Sequence, residues 1–586
     1  MKTRSSNGFF RSYVVALVAV GVSWAWTSRA ADNGAGQAPP KYEYKETQDL
    51  VALVTDAAKL VEAKGEEAFA ELRQGDGRWR RGETYVFVLD GRGTMVVHPD
   101  PALEGRDTSD LKDVRGRPIT KGLLYAATAI PGKPEGWYHY EWPVPQGLLP
   151  RWKSSYVRMV VAPSDKVYVV GSGVYNDRME RAFVVDIVES AVRRIESAGT
   201  TAFPMFREPT GPYFVKDAYV FVIDPRGTEL VNPAFPSVEG RNLIDLKDTQ
   251  GKQPIREMLD VVQSAGAGWV DYMWPKPGES VSTQKSAYVS KAKLNGSWVL
   301  VGAGVYLADA PHAARDKNAM TAPQLVSLVR DAAELFEKRG EASFDEFRVK
   351  GSKWFRDDTY VFVWSLNGIR VLNAANAALE GMDVSDIKDV RGRPFGKMFL
   401  ETAASPAGEG WVHYMYPEPG SIFPAWKSSF VKRVTAPSGK PYLIGAGVYN
   451  MQMDKTLVKD LVDRAADVVA KRGRDGFITL RDKTGPFVFM DTYVFVNGID
   501  GSELVNCAQP SLEGTNLMNV KDLKGKTLVR DYIEGVSKSK DGTFWTEYYW
   551  YEPGSNAPCR KIAYVRLVKC GDEKFVVGSG FYPEEE

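Results

Sequence analysis

Four lysines, Lys153, Lys285, Lys427 and Lys561, each stand sixteen residues after a tryptophan: Trp137, Trp269, Trp411 and Trp545. A constant separation of that length suits two adjacent strands that hold both residues. An ammonium at the mouth of a half-apolar pocket is a point charge fitted to a carboxylate. A solvent-facing strand lysine has the same spacing, so both readings stay open. On the tryptophan strand, Tyr140, Tyr272, Tyr414 and Tyr548 offer an apolar body with a hydrogen-bonding tip, for a pocket or for the core. Trp142 shares the face of Tyr140. His98, Asn232, Asn373 and Asn506 follow a recurring tyrosine by thirteen residues and can donate to an anion or cap the next loop. Tyr156, Tyr288 and Tyr564 complete the candidate set, with Phe430 in the third place. They lie three residues after the lysine, on the opposite face of a regular strand, so a shared pocket requires a bulge or a lysine ahead of the strand.

Other chemistry has little support. The place of His139 is taken by Asp271, His413 and Glu547, and a group that changes charge sign has no common catalytic task. Glu104, Glu239, Glu380 and Glu513, and Asp113, Asp248, Asp389 and Asp522, sit in glycine-containing turns and read as turn residues. Gly171-Ser172-Gly173 lacks the third glycine and the following helix of a nucleotide cradle; such glycines let the last strand approach its neighbour. The four histidines are far apart, and Cys507, Cys559 and Cys570 are the only cysteines, so no metal centre and at most one disulfide is expected. With 75 basic against 74 acidic residues, the chain has no net field for nucleic acid. Neither an enzyme nor a cofactor is expected.

The lysines belong to a repeat. Tyr-Val-Phe-Val begins at Tyr85, Tyr219, Tyr360 and Tyr493, and Gly-Ser/Ala-Gly-Val/Phe-Tyr ends at Tyr175, Tyr306, Tyr449 and Tyr582. Units one and three share Lys-Asp-Val-Arg-Gly-Arg-Pro and Trp-Lys-Ser-Ser; units two and four share a Gly-Pro followed by Glu-Leu-Val-Asn. A two-unit ancestor was duplicated, and residues 309–321 are the one spacer-like stretch between pairs. Two tight pairs joined by a looser hinge are expected.

Within unit one, apolar residues at helical spacing predict a helix over 47–64, and Ala68, Phe69 and Leu72 a second, short one. A hairpin follows over 85–98, then a helix over 119–128 and strands at 137–142, 152–160 and 167–175. Each unit is thus an α+β module with a long N-terminal helix and a mainly antiparallel five-stranded sheet. The order of helix, YVFV hairpin, HPDPALEGRD, GWYHYEWP, KSSY and VGSGVY resembles the single Cache domain, a PAS-like extracellular sensor module, in four tandem copies over 45–583. The boundaries read 45–176, 177–308, 322–450 and 451–583. The resemblance implies recognition of small organic acids or amino acids.

Residues 1–30 carry Lys2, Arg4 and Arg11, an apolar run over 14–26 and Ser28-Arg29-Ala30, the order of a secretory signal; an uncleaved anchor is the alternative. Residues 31–44 read as linker. The expected protein is therefore an exported, periplasmic or otherwise extracytoplasmic binding protein. It would act with a membrane sensor kinase or chemoreceptor, because no signalling segment follows Tyr582. The rival expectation is a structural or assembly spacer of the envelope with few or no working pockets.

Overall fold

The computed structural model describes residues 42–583 apart from 75–76, 131, 145–147, 176–178, 280, 308–319, 419–421, 554 and 556. The expected signal segment, most of the expected linker over 31–44 and nearly all of the 309–321 stretch lie outside the described residues. The spacer's end is visible: Thr321 caps the helix Ala322–Arg339 in a capping box with Gln324.

In unit one the chain forms a helix Lys45–Lys64, a short helix Ala68–Leu72, the hairpin strands Thr84–Asp90 and Met95–Val97, and a helix Ile119–Thr128. Three long strands follow: the tryptophan strand Glu135–Trp142, the lysine strand Arg151–Val161 and the closing strand Val167–Tyr175. The closing strand returns to the middle of the sheet, between the hairpin and the lysine strand, and all pairings are antiparallel. The second, third and fourth sheets repeat this order. The expected five strands become six in units one and three, where Arg80–Arg81 and Phe355–Arg356 add an edge. In units two and four the corresponding residues form a separate two-stranded ribbon.

Strand alternation assigns the faces. Val86, Val88, Val160 and Val170 meet Ala57 and Val61 of the long helix, whereas Phe87, Leu89, Tyr138, Tyr140 and Val157 meet Leu123 and Ala127 of the second-face helix. Each fully buried valine or leucine contributes about 1.5–3 kcal/mol, so both helices are held chiefly by their apolar stripes. Lys153 belongs to the second face.

The shared wording of alternate units has a structural cause. Arg117, 2% exposed, donates to the carbonyls of Gly211 and Phe214 in unit two, and Trp152 lies 5.4 Å beneath its guanidinium. Arg393 does the same to Gly485 and Val488 of unit four, over Trp426. The Arg-Gly-Arg-Pro and Trp-Lys-Ser-Ser runs therefore supply a latch, and the Gly-Pro turns of units two and four receive it. Arginine suits this place because its planar fork reaches two carbonyls at once. The tyrosine hydroxyls of Tyr125 and Tyr213, 2.9 Å apart, add a second joint to the first pair.

The described residues from Tyr42 onward belong to one compact unit. Tyr42, expected in a linker, is 8% exposed and sits edge-on to Trp137 at 5.8 Å. An aromatic ring at a sheet edge gains more by burial than a linker gains by freedom.

Candidate ligand-binding site

Each repeated lysine lies inside a cage of tyrosine rings. Lys153 is 1% exposed, with its Nζ 3.9 Å from the ring centre of Tyr85 and 5.2 Å from that of Tyr175. Lys285 stands 4.0 Å from Tyr219 and 5.0 Å from Tyr306; Lys427 stands 4.1 Å from Tyr360 and 4.3 Å from Tyr449. Lys561 stands 4.2 Å from Tyr493 and 5.0 Å from Tyr582. The cage walls are the first tyrosine of the hairpin strand and the last tyrosine of the closing strand, which the lysine pairs directly in unit one. Each closing tyrosine is itself fixed, donating to the carbonyl of Pro143, Pro275, Pro417 or Tyr551 at 2.5–2.8 Å.

The Gly-x-Gly ending makes the cage possible. A Cβ at Gly173 would stand 2.5 Å from Lys153 Cε, and Cβ atoms at Gly304, Gly447 and Gly580 would meet the other lysines at 2.8–2.9 Å. The first glycine of each pair instead makes room for Phe87, Phe221, Phe362 or Phe495. The glycines thus clear side chains of neighbouring strands, and at Gly304 and Gly580 they also admit the backbone approach expected from sequence, with the carbonyls of Ser286 and Ile562 at 2.7 and 2.6 Å from the added Cβ.

The candidate residues divide. Tyr140 and Tyr414 lie on the lysine face opposite Lys153 and Lys427, and bond Ser155 and Ser429 at 3.0 and 3.2 Å. Tyr272 and Tyr548 hold the same place opposite Lys285 and Lys561, with Ala287 and Ala563 where the serines stand. Trp142 contacts the rings of Tyr140 at 5.9 Å and His98 at 6.1 Å. His98 accepts the Asp100 amide at Nδ1, and Asn232, Asn373 and Asn506 accept the amides of Phe235, Asn376 and Gln509, so all four cap the loop that follows. His98 also stacks edge-on against Tyr85 at 5.1 Å, which places it beside the cage.

Tyr156, Tyr288 and Tyr564 do not join the lysines. The pairing from Glu135–Arg158 to Trp142–Arg151 runs without a bulge, so Tyr156 packs on Trp137 across the sheet. Tyr288 and Tyr564 pack likewise on Trp269 and Trp545. Period-two geometry removes them from the site.

The acidic candidates are structural. Asp113 accepts the amides of Arg115 and Arg117 and, through its other oxygen, that of Glu141, tying the turn to the tryptophan strand. Asp248, Asp389 and Asp522 repeat this with Met273, Met415 and Tyr549. Glu104, Glu239, Glu380 and Glu513 pair with Arg73, Arg207, Arg348 and Arg481. His139 and His413 are buried against Ser154 and Ser428 on the other face. Among the described residues no group of three histidine, cysteine or acidic side chains could hold a metal, and the cysteines are unpaired.

Electrostatics separate the four cages. Burial pulls every cage lysine down to about 7. For Lys153 desolvation acts alone; its Nζ, like that of Lys285, has no hydrogen-bond partner among the described residues. Lys285 is countered by Asp217 and Glu229, Lys427 by Asp358 and Glu418, and Lys561 by Asp491 and Glu503. The residue ten positions after the hairpin tyrosine sets part of this difference: Met95, Glu229, Arg370 and Glu503. Glu229 is fully desolvated and pushed up to about 8, and Glu503 to about 7. Next to Lys153, desolvation pulls His98 down to about 4. A buried ammonium with no acid beside it is the state an entering anion would relieve.

Sequence reasoning missed both cage tyrosines and the variable acid. The tyrosines were present in all four repeats, and their constancy at strand ends, where a β-branched residue would serve the core equally, was the available signal.

Residues 178–319 match Single Cache domain 2, and residues 76–180, 348–490 and 477–586 match the Cache domain, the latter alone covering more than half of the chain. The chain is 33% identical over 93 residues to the methyl-accepting chemotaxis protein McpP of Pseudomonas putida, which is 16% of this chain and 17% of McpP. It is 39% identical over 95 residues to the sensor histidine kinase MctS of Rhizobium johnstonii, 16% of this chain and 20% of MctS. It therefore spans a fifth or less of the length of these curated relatives. A solved Cache chemosensory domain, described for carboxylic acid recognition, is 29% identical and covers 21% of this chain and 91% of its own, with a TM-score of 0.19; a periplasmic sensor domain of a chemotaxis protein is 27% identical and covers 21% of this chain and 86% of its own, with a TM-score of 0.18. By sequence match over most of its length, the chain belongs to the Cache domain family.

Proposed function

We propose that the chain is an exported binding protein of four Cache modules that captures a small carboxylate or amino acid and presents the loaded state to a membrane sensor kinase or chemoreceptor. The observation that carries this reading is Lys153: an ammonium 1% exposed, ringed by Tyr85 and Tyr175, with no acid countering its desolvation. A carboxylate entering that cage would supply the missing charge, with Tyr140, His98 and Trp142 packed beside it. No helix among the described residues is long and apolar enough to cross a membrane, so the reading assigns signalling to a separate partner. Its place is periplasmic or otherwise extracytoplasmic, and its role is recognition without catalysis.

The rival reading, an envelope spacer, draws on the Arg117 and Arg393 latches, which would stiffen a tandem array with or without a ligand. Isothermal titration of the full chain with acetate, propionate and L-alanine separates the two. The sensor reading expects at least one of these probes to bind, and Lys153→Met to lower the stoichiometry by one site. Heat from none of them favours the spacer, and the same stoichiometry in the variant would show that Lys153 is not the anchor.

A further inference from the structure

The residues just ahead of the lysine strand do not behave alike in the four units. Phe423, four residues before Lys427, leaves its own unit and lies against unit two, 4.8 Å from the ring of Trp274 and 5.3 Å from that of Phe235. Phe235 in turn stands 6.3 Å from Tyr219, the ring over Lys285. Ile422 packs on the same cluster, and the Arg391 guanidinium occupies the space a Cβ at Gly278 would need. Leu149, four residues before Lys153, packs against the corresponding cluster of unit four, which contains Tyr493, Tyr548, Trp550 and Cys507. Each half of the chain thus places apolar residues, Ile422 and Phe423 from one and Leu149 from the other, on the second cluster of the opposite half.

Charge points the same way. The cages that receive Phe423 and Leu149 are those in which a buried glutamate, Glu229 or Glu503, accompanies the lysine, bonded to Asn232 or Asn506 at 2.9 Å. Lys427 of unit three also has acids near it, Asp358 and Glu418, so what sets units two and four apart is a buried glutamate together with apolar side chains of the other half packed on the same cluster.

We infer that the cages of units two and four are docking sockets for the opposite half of the chain, which leaves units one and three to receive free ligand. The two halves, expected to meet through a loose hinge, are interlocked reciprocally instead. A socket needs an apolar rim and an uncharged floor, and a lysine facing its own carboxylates supplies that floor without an outside anion. The inference stands apart from whether unit one binds an acid, because its test reads the socket alone.

Cys507 is a native reporter: it is 4% exposed, within the cluster that Leu149 covers, and burial pushes its thiol up to about 11. In the full chain, Leu149→Ala and Leu149→Glu should raise the rate of Cys507 alkylation by iodoacetamide about tenfold or more, read peptide by peptide, because opening the seat governs access. Cys570, beside Gly473 at the far helix of the same unit, should keep its rate. An unchanged Cys507 rate in both variants, or an equal rise at Cys570, overturns the socket assignment.

Discussion

Replacing Lys153 by methionine should stabilise the protein while abolishing its first site. The side chain fills a place with 1% exposure, so methionine, similar in length and apolar, keeps most of the packing. Burial moves the ammonium from 10.5 to about 7, a shift whose full worth is about 5 kcal/mol at about 1.4 kcal/mol for each pH unit. The sign follows from linkage. Between about 7 and 10.5 the unfolded chain holds the proton that the folded chain has lost, so the lysine's penalty is complete below about 7 and fades as pH rises. Urea unfolding followed by circular dichroism should therefore show a gain that approaches about 5 kcal/mol at pH 6.5 and falls to about 1 kcal/mol at pH 9.5, in whichever transition the substitution moves. A variant less stable than its parent at pH 6.5, or a gain equal at both pH values, would mean the ammonium is solvated or already neutralised. Either outcome would refute the argument that the cage awaits an anion.

Carboxylate binding at the same site should weaken as pH climbs above about 7, where the folded Lys153 loses its proton; titration calorimetry in buffers of different ionisation enthalpy would detect the coupled proton uptake. Gly173→Val should cost about 1–3 kcal/mol of stability and lose acid binding, since its Cβ would stand 2.5 Å from both Lys153 Cε and Ser155 Oγ; differential scanning calorimetry and titration report the two effects. Arg117→Ala should leave the Gly211 and Phe214 carbonyls unpaired, at about 1–3 kcal/mol, and speed amide exchange over 209–215 with little change over 483–489. His139, held neutral by burial with its value down at about 3, should make the parent lose stability as pH falls from 6.5 toward 4, and His139→Phe should flatten that loss.

The repeat, the element order and the face assignments were legible because they rest on local periodicity. The helix over 119–128 and the closing strand over 167–175 coincide with the observed Ile119–Thr128 and Val167–Tyr175. Lys153 could be singled out from spacing, and the doubt about Tyr156 from its three-residue offset, since both are properties of one or two strands. Arg117 carried no such signal: its acceptors lie more than ninety residues away, and a chain's own sequence does not say which turn will meet which arginine. The Asp113 position shows the opposite case, where turn chemistry predicted the role and only the bond to Glu141 required the fold. Tyr85 was read as a strand opener because β-propensity and cage-building ask for the same residue there.

The notch at Gly173 answers both to the lysine twenty residues earlier and to the strand that carries it. A larger residue at the glycine meets Ser155 Oγ as well as the lysine, and in units two and four the carbonyls of Ser286 and Ile562, so losing the lysine alone does not free the position. Copies of this repeat in other chains should therefore keep the glycine even where the lysine has gone, and a filled notch marks a module whose lysine strand and closing strand have moved apart.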